Sequence, residues 1–382
     1  MCSGNSSINR SAPVKTVEWK KGGSILSVTY GATTAEYRRP EGRWQRSHAG
    51  GTAPGEVPLL AIRQSLNEPP ALFAHTGSLA RELKVFEPNP QLQTLDLGVV
   101  SPYTWSDGRG RTLHGGLARP PDFVPGRRYP LVIQTHGFSS GQFFRSGYSE
   151  TASAGRALAG RGMLVLQVDE PEDEFGTWRE GTLDGTDVYV AAIDQLHQEG
   201  LVDSARVGIS GYSRAGFYVA RAITDQPDRF AAAMIANADP GSLIGYDSYV
   251  DYALPTYAKM AADAFAGALP YGEGLQKWLE RAPGFRTDRI RAPVLVSAAD
   301  PQHLLSLWGI YAPLRDQHKP VELQYFRSGQ HNLSKPLQVL AHQEMLVDWF
   351  DFWLNRHEDP DPAKSDQYLR WRALAGRQVP PG

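Results

Sequence analysis

Cysteine is almost absent: the 382-residue chain holds one, Cys2. A single thiol excludes an internal disulfide and any CxxC metal or redox pair, so nothing points to an oxidising compartment or a structural zinc. Long apolar runs are missing too. No stretch approaches the roughly 18 residues that a membrane-spanning helix needs. The opening Met1-Cys2-Ser3-Gly4-Asn5-Ser6-Ser7 has no apolar run of signal-peptide length, and Cys2 lacks the upstream hydrophobic stretch of a lipoprotein signal, so a cytoplasmic location is the default expectation. Charge of one sign is the third absence. Lys plus Arg number 39 against 41 for Asp plus Glu, a net charge of −2, which offers no basic field for nucleic acid or an anionic membrane. What remains is 41% hydrophobic and 21% charged residues, the balance of a soluble, enzyme-sized globular chain with enough length for a large core.

Residues 1–14, rich in Ser, Asn and Gly, are expected to form a disordered tail. Thr16–Trp19 and Ser24–Tyr30 flank a Lys-Lys-Gly-Gly turn and read as a β-hairpin. Short-strand patterning continues through Tyr37 and the run from Val57 to Ile62. Residues 15–94 therefore read as an all-β region and linker, the strands up to about residue 76 matching two propeller blades in size. From residue 95 strands alternate with helical segments, the pattern of an α/β sheet with helices on both faces. Strands are expected at 99–105, 112–118, 129–135, 163–168, 206–209, 230–235, 293–297 and 321–326. Helices are expected at 184–199, 213–224, 303–317 and 337–355. The turn Asp107-Gly108-Arg109-Gly110 makes the first two strands a hairpin, so the sheet starts antiparallel and continues mainly parallel. An aromatic-rich helical insertion fits 246–282. This domain runs to residue 358, and residues 359–382 read as a peripheral C-terminal tail. Tyr249, Tyr252, Trp278 and Trp308 are candidates to line a pocket, although aromatic residues more often fill cores.

The most informative segment is Arg206-Val207-Gly208-Ile209-Ser210-Gly211-Tyr212-Ser213-Arg214-Ala215-Gly216-Phe217. A short strand enters Gly-Tyr-Ser-Arg-Ala-Gly and leaves as a helix. Small residues flank a nucleophile in such an elbow because backbone packs on backbone in the tight turn. Ser213 is thus the candidate nucleophile, with Ala215 where the strict G-x-S-x-G pattern has glycine. Gly137-Phe138-Ser139-Ser140-Gly141 fits the strict pattern and also follows a strand. No helical periodicity follows Ser139, so Ser139 is read as the decoy.

Serine needs a base, and the base an orienting carboxylate, in chain order Ser, acid, His for this arrangement. The acid candidates at strand ends are Asp239 and Asp300. The histidines after Ser213 are His303, His318, His331, His342 and His357. His331 lies in a loop after the last strand and can reach an elbow. His303 is too near Asp300 in sequence to serve it comfortably, which leaves Asp300 and His331 as the preferred pair. With an ordinary imidazole, activity should fall as pH drops through about 6.5.

The ordered motifs resemble the prolyl oligopeptidase family of serine peptidases. Tyr129–Ile133 leading to His136-Gly137-Phe138 is similar to that family's first core strand and oxyanion segment, and Gly211–Gly216 to its nucleophile elbow. Pro293–Val296 with Asp300, Lys319–Leu323, Gly329-Gln330-His331-Asn332 and Val347–Leu354 resemble its acid strand, penultimate strand, histidine loop and last helix. Gln134–Phe138 and Leu164–Gln167 look most like the lasso-peptide isopeptidases within it. The acid-strand tip, Ser297-Ala298-Ala299-Asp300, departs from that family's H-G-x-x-D pattern.

The resemblance implies an α/β-hydrolase fold and amide-bond hydrolysis through an acyl-enzyme on a peptide substrate. In it Ser213 attacks, His331 takes its proton, Asp300 orients His331, and backbone N–H groups of Arg214 and Phe138 hold the oxyanion. It implies no cofactor and no metal. A carboxylesterase of the same fold and an inactive peptide-binding relative are the alternatives. Family members carry a whole N-terminal propeller, whereas only its trailing end fits here, so a truncated form with an open cleft is expected. Unpaired strand edges would then favour self-association.

Overall fold

The computed structural model describes residues 14–30, 33–39, 44–47, 59–75, 82–135, 137–147, 149–169, 178–252, 259, 262–263 and 265–377. All but the last of the expected disordered residues 1–14, together with His136, lie outside the described residues. The chain divides into two compact units, Met1–Leu95 and Asp96–Gly382. Among the described residues no helix is long and apolar enough to cross a membrane.

The first unit holds two antiparallel sheets. Strands β1 (Val14–Lys20), β2 (Ile25–Tyr30), β3 (Thr33–Arg38) and β4 (Gln45–Ser47) pair in chain order, and β5 (Leu59–Arg63), β6 (Ala71–His75) and β7 (Leu83–Phe86) form the second. The first hairpin pairs Lys20 with Ile25 around Lys21, Gly22 and Gly23, all at positive φ, a conformation that glycine adopts without cost. Ile25, Val28 and Ala35 are buried, but Leu59, Ile62, Leu83 and Phe86 are more than 60% exposed.

The second unit is built on one eight-stranded sheet. Its strands are β8 (Val99–Ser106), β9 (Thr112–Arg119), β10 (Tyr129–Gln134), β11 (Leu164–Asp169), β12 (Val202–Tyr212), β13 (Ala232–Ala236), β14 (Val294–Ala298) and β15 (Val321–Tyr325). They lie in the order β15-β14-β13-β12-β10-β11-β9-β8. The β8–β9 and β9–β11 pairs are antiparallel and the rest are parallel, as the hairpin followed by βα alternation requires. The chain steps from β10 to β11 on one side and then places β12 on the other. This reversal opens a crevice at the carboxyl ends of β10 and β12, where ligands bind in open α/β sheets.

The helices are α1 (Gly155–Ala159), α2 (Trp178–Gln198), α3 (Arg214–Asp225), α4 (Leu243–Tyr252), α5 (Gly274–Arg281), α6 (Pro301–Asp316), α7 (Pro336–Phe350) and α8 (Ser365–Ala375). Alternate strand residues Val207, Ile209, Ala233, Ile235, Val294 and Val296 share one core with Val188 and Ile193 of α2, Phe217 and Val219 of α3 and Leu307 of α6. On the other face Gly208 leaves room for Phe350, whose ring lies 2.5 Å from where a Cβ would be. The sheet is therefore covered on both faces, which explains its nearly continuous apolar strands. Trp278 and Tyr249 belong to the core, while Trp308 is 47% exposed.

Residues 359–382 do not all behave as a peripheral tail. Tyr368, Trp371 and Leu374 of α8 are buried, and the Trp371 ring stands 5.1 Å from Trp349. Lys364 reaches Asp348 at 2.8 Å. Their three- and six-residue spacing puts the three large side chains on one helix face, a stripe too short to stand out beside Asp359-Pro360-Asp361-Pro362.

Candidate active site

The elbow after β12 is shaped by what its neighbours leave out. A Cβ on Gly211 would fall 2.4 Å from the Ala215 carbonyl oxygen, and one on Gly216 would fall 2.4 Å from the Ala238 Cβ. Ser213 sits at φ +58° and ψ −131°, a region that L-residues occupy only at a cost on the order of 1–3 kcal/mol. Its N–H donates to the Ala236 carbonyl at 3.0 Å, which ties the turn to β13. The Ser213 Oγ lies 2.9 Å from the His331 Nε2. Arg214 begins α3, where first-turn N–H groups have no acceptor within the helix and face outward as an anion-binding end.

His331 is carried by the loop after β15. Gly329 permits that loop to touch the end of β14, because a Cβ there would lie 2.7 Å from the Ala299 carbonyl oxygen. The His331 carbonyl accepts hydrogen bonds from the Tyr212 hydroxyl at 2.9 Å and the Asn237 side-chain amide at 2.7 Å. Asn237 also accepts from the Ala299 N–H at 2.7 Å. It thereby joins the tips of β13 and β14 to the histidine loop, while adopting φ +42°. Neither Tyr212 nor Asn237 was singled out by the sequence. Tyr212 occupies the unspecified position of the elbow motif, and Asn237 is hidden at the end of an apolar strand.

The structure brings Ser213 and His331 together but gives the Asp300 carboxylate to another partner. Asp300 caps α6, accepting from the His303 N–H at 3.0 Å, and lies 2.7 Å and 2.9 Å from the His303 Nδ1. The expected Asp300–His331 hydrogen bond is not formed, and the His331 Nδ1 is buried without a partner among the described residues. Asp300 is the N-cap of α6 and His303 lies in the first turn of that helix, so nearness in sequence favours this pairing rather than disqualifying it. The His303 ring stacks on His331 with centroids 4.6 Å apart and planes 28° apart.

Asp300, His303 and His331 each place a ligand atom within 4.8 Å of the others. Nearly parallel rings direct their nitrogen lone pairs along separate planes rather than to one point, so the cluster suits hydrogen bonding and stacking better than metal coordination.

The electrostatics follow from burial. Burial, and behind it the charge of His303, lowers the His331 imidazole to about 4 against the opposing pull of Asp300. The expected loss of activity near pH 6.5 therefore moves to about pH 4, because a desolvated imidazole resists protonation. For Asp300 burial alone would raise the carboxyl, but hydrogen bonds from the His303 side chain and backbone, with the charges of His303 and His331, outweigh it and leave it below its ordinary value. Asp239 is buried, accepts from the Gly241 N–H at 2.9 Å, and has an unpartnered Oδ2 among the described residues. Burial raises it to about 7.

On the other side of the crevice, Phe138 follows β10 with its ring over β9. A Cβ on Gly116 would fall 2.1 Å from that ring. Gln134 steadies the loop beyond, donating to the Ser146 carbonyl at 2.9 Å and to Gln167 at 2.6 Å and accepting from the Ala154 N–H at 2.9 Å. Ser139 is exposed in this loop, and no helix starts behind it.

Residues 175–357 match the prolyl oligopeptidase family, and the chain is 30% identical over 352 residues to the lasso peptide isopeptidase AtxE2 of Asticcacaulis excentricus, a match covering 85% of this chain and 47% of that protein. The matched stretch, which carries Ser213, Asp300 and His331, is similar to the prolyl oligopeptidase family. It is also 24% identical over 258 residues to the uncharacterised peptidase YuxL of Bacillus subtilis, covering 63% of this chain and 37% of that one. The chain thus spans about half or less of the length of these curated relatives.

Among solved structures, an AtxE2 isopeptidase variant with Astexin3-dC4 bound is similar with a TM-score of 0.71 and 24% identity, over 98% of this chain and 60% of that one. The acylaminoacyl peptidase of Pyrococcus horikoshii gives 0.60 and 18%, over 93% and 58%. These likenesses establish the α/β-hydrolase fold.

Proposed function

We propose that this protein is a serine hydrolase of the prolyl oligopeptidase type that opens amide bonds through an acyl-enzyme, with a lasso peptide's isopeptide bond as its substrate class. The observation that carries the reading is the 2.9 Å contact between the Ser213 Oγ and the His331 Nε2 at an elbow where Ser213 is held at positive φ. His331, neutral above about pH 4, takes the hydroxyl proton as Ser213 attacks the carbonyl. The N–H groups of Arg214 and Phe138, which flank the crevice from α3 and from the loop after β10, hold the tetrahedral oxyanion. His331 then returns its proton to the leaving amine, and water, activated by the same imidazole, releases the acyl group. Asp300 supplies the negative charge near the base. The single cysteine supports a reducing, cytoplasmic setting, and the similarity to AtxE2 supports a threaded peptide as substrate.

The test is a substrate panel of a nitrophenyl ester, a linear peptide and a lasso peptide, with fluorophosphonate labelling. Ser213-dependent labelling and turnover of the lasso peptide are expected. Turnover of the ester alone would make the protein a carboxylesterase, and absence of labelling would make it a peptide-binding relative.

A further inference from the structure

The acid tip of the site departs from a straight serine–histidine–aspartate line, and the departure is specific. Asp300 spends both carboxylate oxygens on His303, which is only 8% exposed. His303 in turn lays its ring on His331 at 4.6 Å, and the ring of Tyr212 lies 4.9 Å from His331 as well. The nitrogen of His331 that an orienting carboxylate would ordinarily engage has no partner among the described residues. Something other than a direct carboxylate bond must therefore hold that ring with its Nε2 toward Ser213. The stacked imidazole, itself clamped by Asp300, is placed to do so.

We propose that His303 is a positioning residue for the hydrolytic reaction: Asp300 orients His303, and His303 fixes the plane of His331 by stacking, so that the acid acts on the base through a second imidazole. This rests on the serine-hydrolase reading above. A purely structural His303 would serve only to satisfy the Asp300 carboxylate that caps α6. That role does not require the ring to lie on His331.

The titratable groups facing His331 are His303, whose charge opposes its protonation, and Asp300, whose charge favours it. The Tyr212 hydroxyl donates to the His331 carbonyl. Tyr249 is the further ring beside His303, at 6.5 Å.

Three variants of the full chain separate the roles. His303→Phe keeps a ring to stack but removes the hydrogen bond and the charge. It should retain kcat within a few fold and move the acidic limb of kcat/KM to higher pH. His303→Ala removes the shelf and should lower kcat by about 10- to 100-fold with KM little changed, the scale of a misplaced catalytic group. Asp300→Asn keeps a good helix cap and should move the limb to lower pH while slowing turnover. Thermal melts identify any variant that fails to fold, and His303→Gln then replaces it, with loss of kcat expected as for Ala.

Rates and limb positions equal to wild type in both the Phe and Ala variants would reduce His303 to a structural residue. A faster His303→Phe enzyme would show that His303 withholds Asp300 from a direct bond to His331. Fluorophosphonate labelling distinguishes the two levels: an unlabelled wild type overturns the hydrolase reading, whereas a labelled wild type with wild-type rates and limb positions in both His303→Phe and His303→Ala overturns only this proposal.

Discussion

Two loops at the same end of the sheet carry closely similar serine patterns, one ending in Gly141 and the other in Ala215, and do different things with them. After β10, Gly137-Phe138-Ser139-Ser140-Gly141 places its positive φ on glycine, at +74° for Gly137. Ser139 is left exposed in an open loop. After β12, Gly211-Tyr212-Ser213-Arg214-Ala215 places it on the serine, whose hydroxyl meets His331. A glycine relaxes into that conformation at little cost, so the first loop is an ordinary turn, whereas the second stores strain at the residue that projects from it. The pattern alone does not choose between them. The chain downstream of each serine does, because α3 begins directly at Arg214 and its small residues let the turn close against β13.

The contrast is sharpest for activity. Ser213→Ala should remove turnover by on the order of 10⁴-fold or more, as loss of a serine nucleophile does, and Ser139→Ala should leave most of it. Comparable losses in steady-state assays of the two variants would erase the distinction.

The first loop is nevertheless expected to contribute a backbone donor. Gly116→Val should push the Phe138 ring off β9 and lower kcat by about 10- to 100-fold, up to the scale of one lost oxyanion donor. Its overpacking should also cost about 1–3 kcal/mol of stability. An unchanged kcat in the folded fraction would leave the first loop without a part in the chemistry.

A smaller effect concerns pH. Because burial depresses His331 to about 4, its neutral, proton-accepting form prevails above that value and is lost as pH falls through it. In kcat/KM profiles the acidic limb should lie near pH 4, and a limb near 6.5 would mean that His331 is hydrated in solution. The same depression makes the native state less able than the unfolded chain to bind protons between about 6.5 and 4, so His331 destabilises the fold progressively as pH drops through that window.

The smallest effect isolates strain. Ser213→Gly should raise stability by about 1 kcal/mol, since glycine accepts the elbow conformation, while Ser139→Gly should be neutral or slightly destabilising. Chemical denaturation midpoints compare the two directly, and equal shifts would remove strain as the difference between the loops.

Much of this was legible along the chain. The eight sheet strands, the antiparallel start and the later helices follow from apolar runs, the Asp107–Gly110 turn and the break after α7, all of which are local patterns. Ser213 and His331 were legible for a related reason: an elbow must open a helix, and a base must sit in a loop after a later strand. Other features were beyond such reading. The packing of Trp371 depends on Trp349, and Asn237 has meaning only because the ends of β13, β14 and β15 are neighbours in the sheet.

The sequence by itself determined the order of elements, the small residues that the elbow demands and the residue types able to perform acyl transfer, because each is set by covalent geometry and nearest neighbours. Only the tertiary structure decided which groups pair. Asp300 turned to His303 once it capped α6, His331 was partly desolvated and with that lost much of its basicity, and burial raised the Asp239 carboxyl. Hydrogen-bond partnership and desolvation depend on what the rest of the chain brings within a few ångströms, and a one-dimensional spacing does not encode that distance.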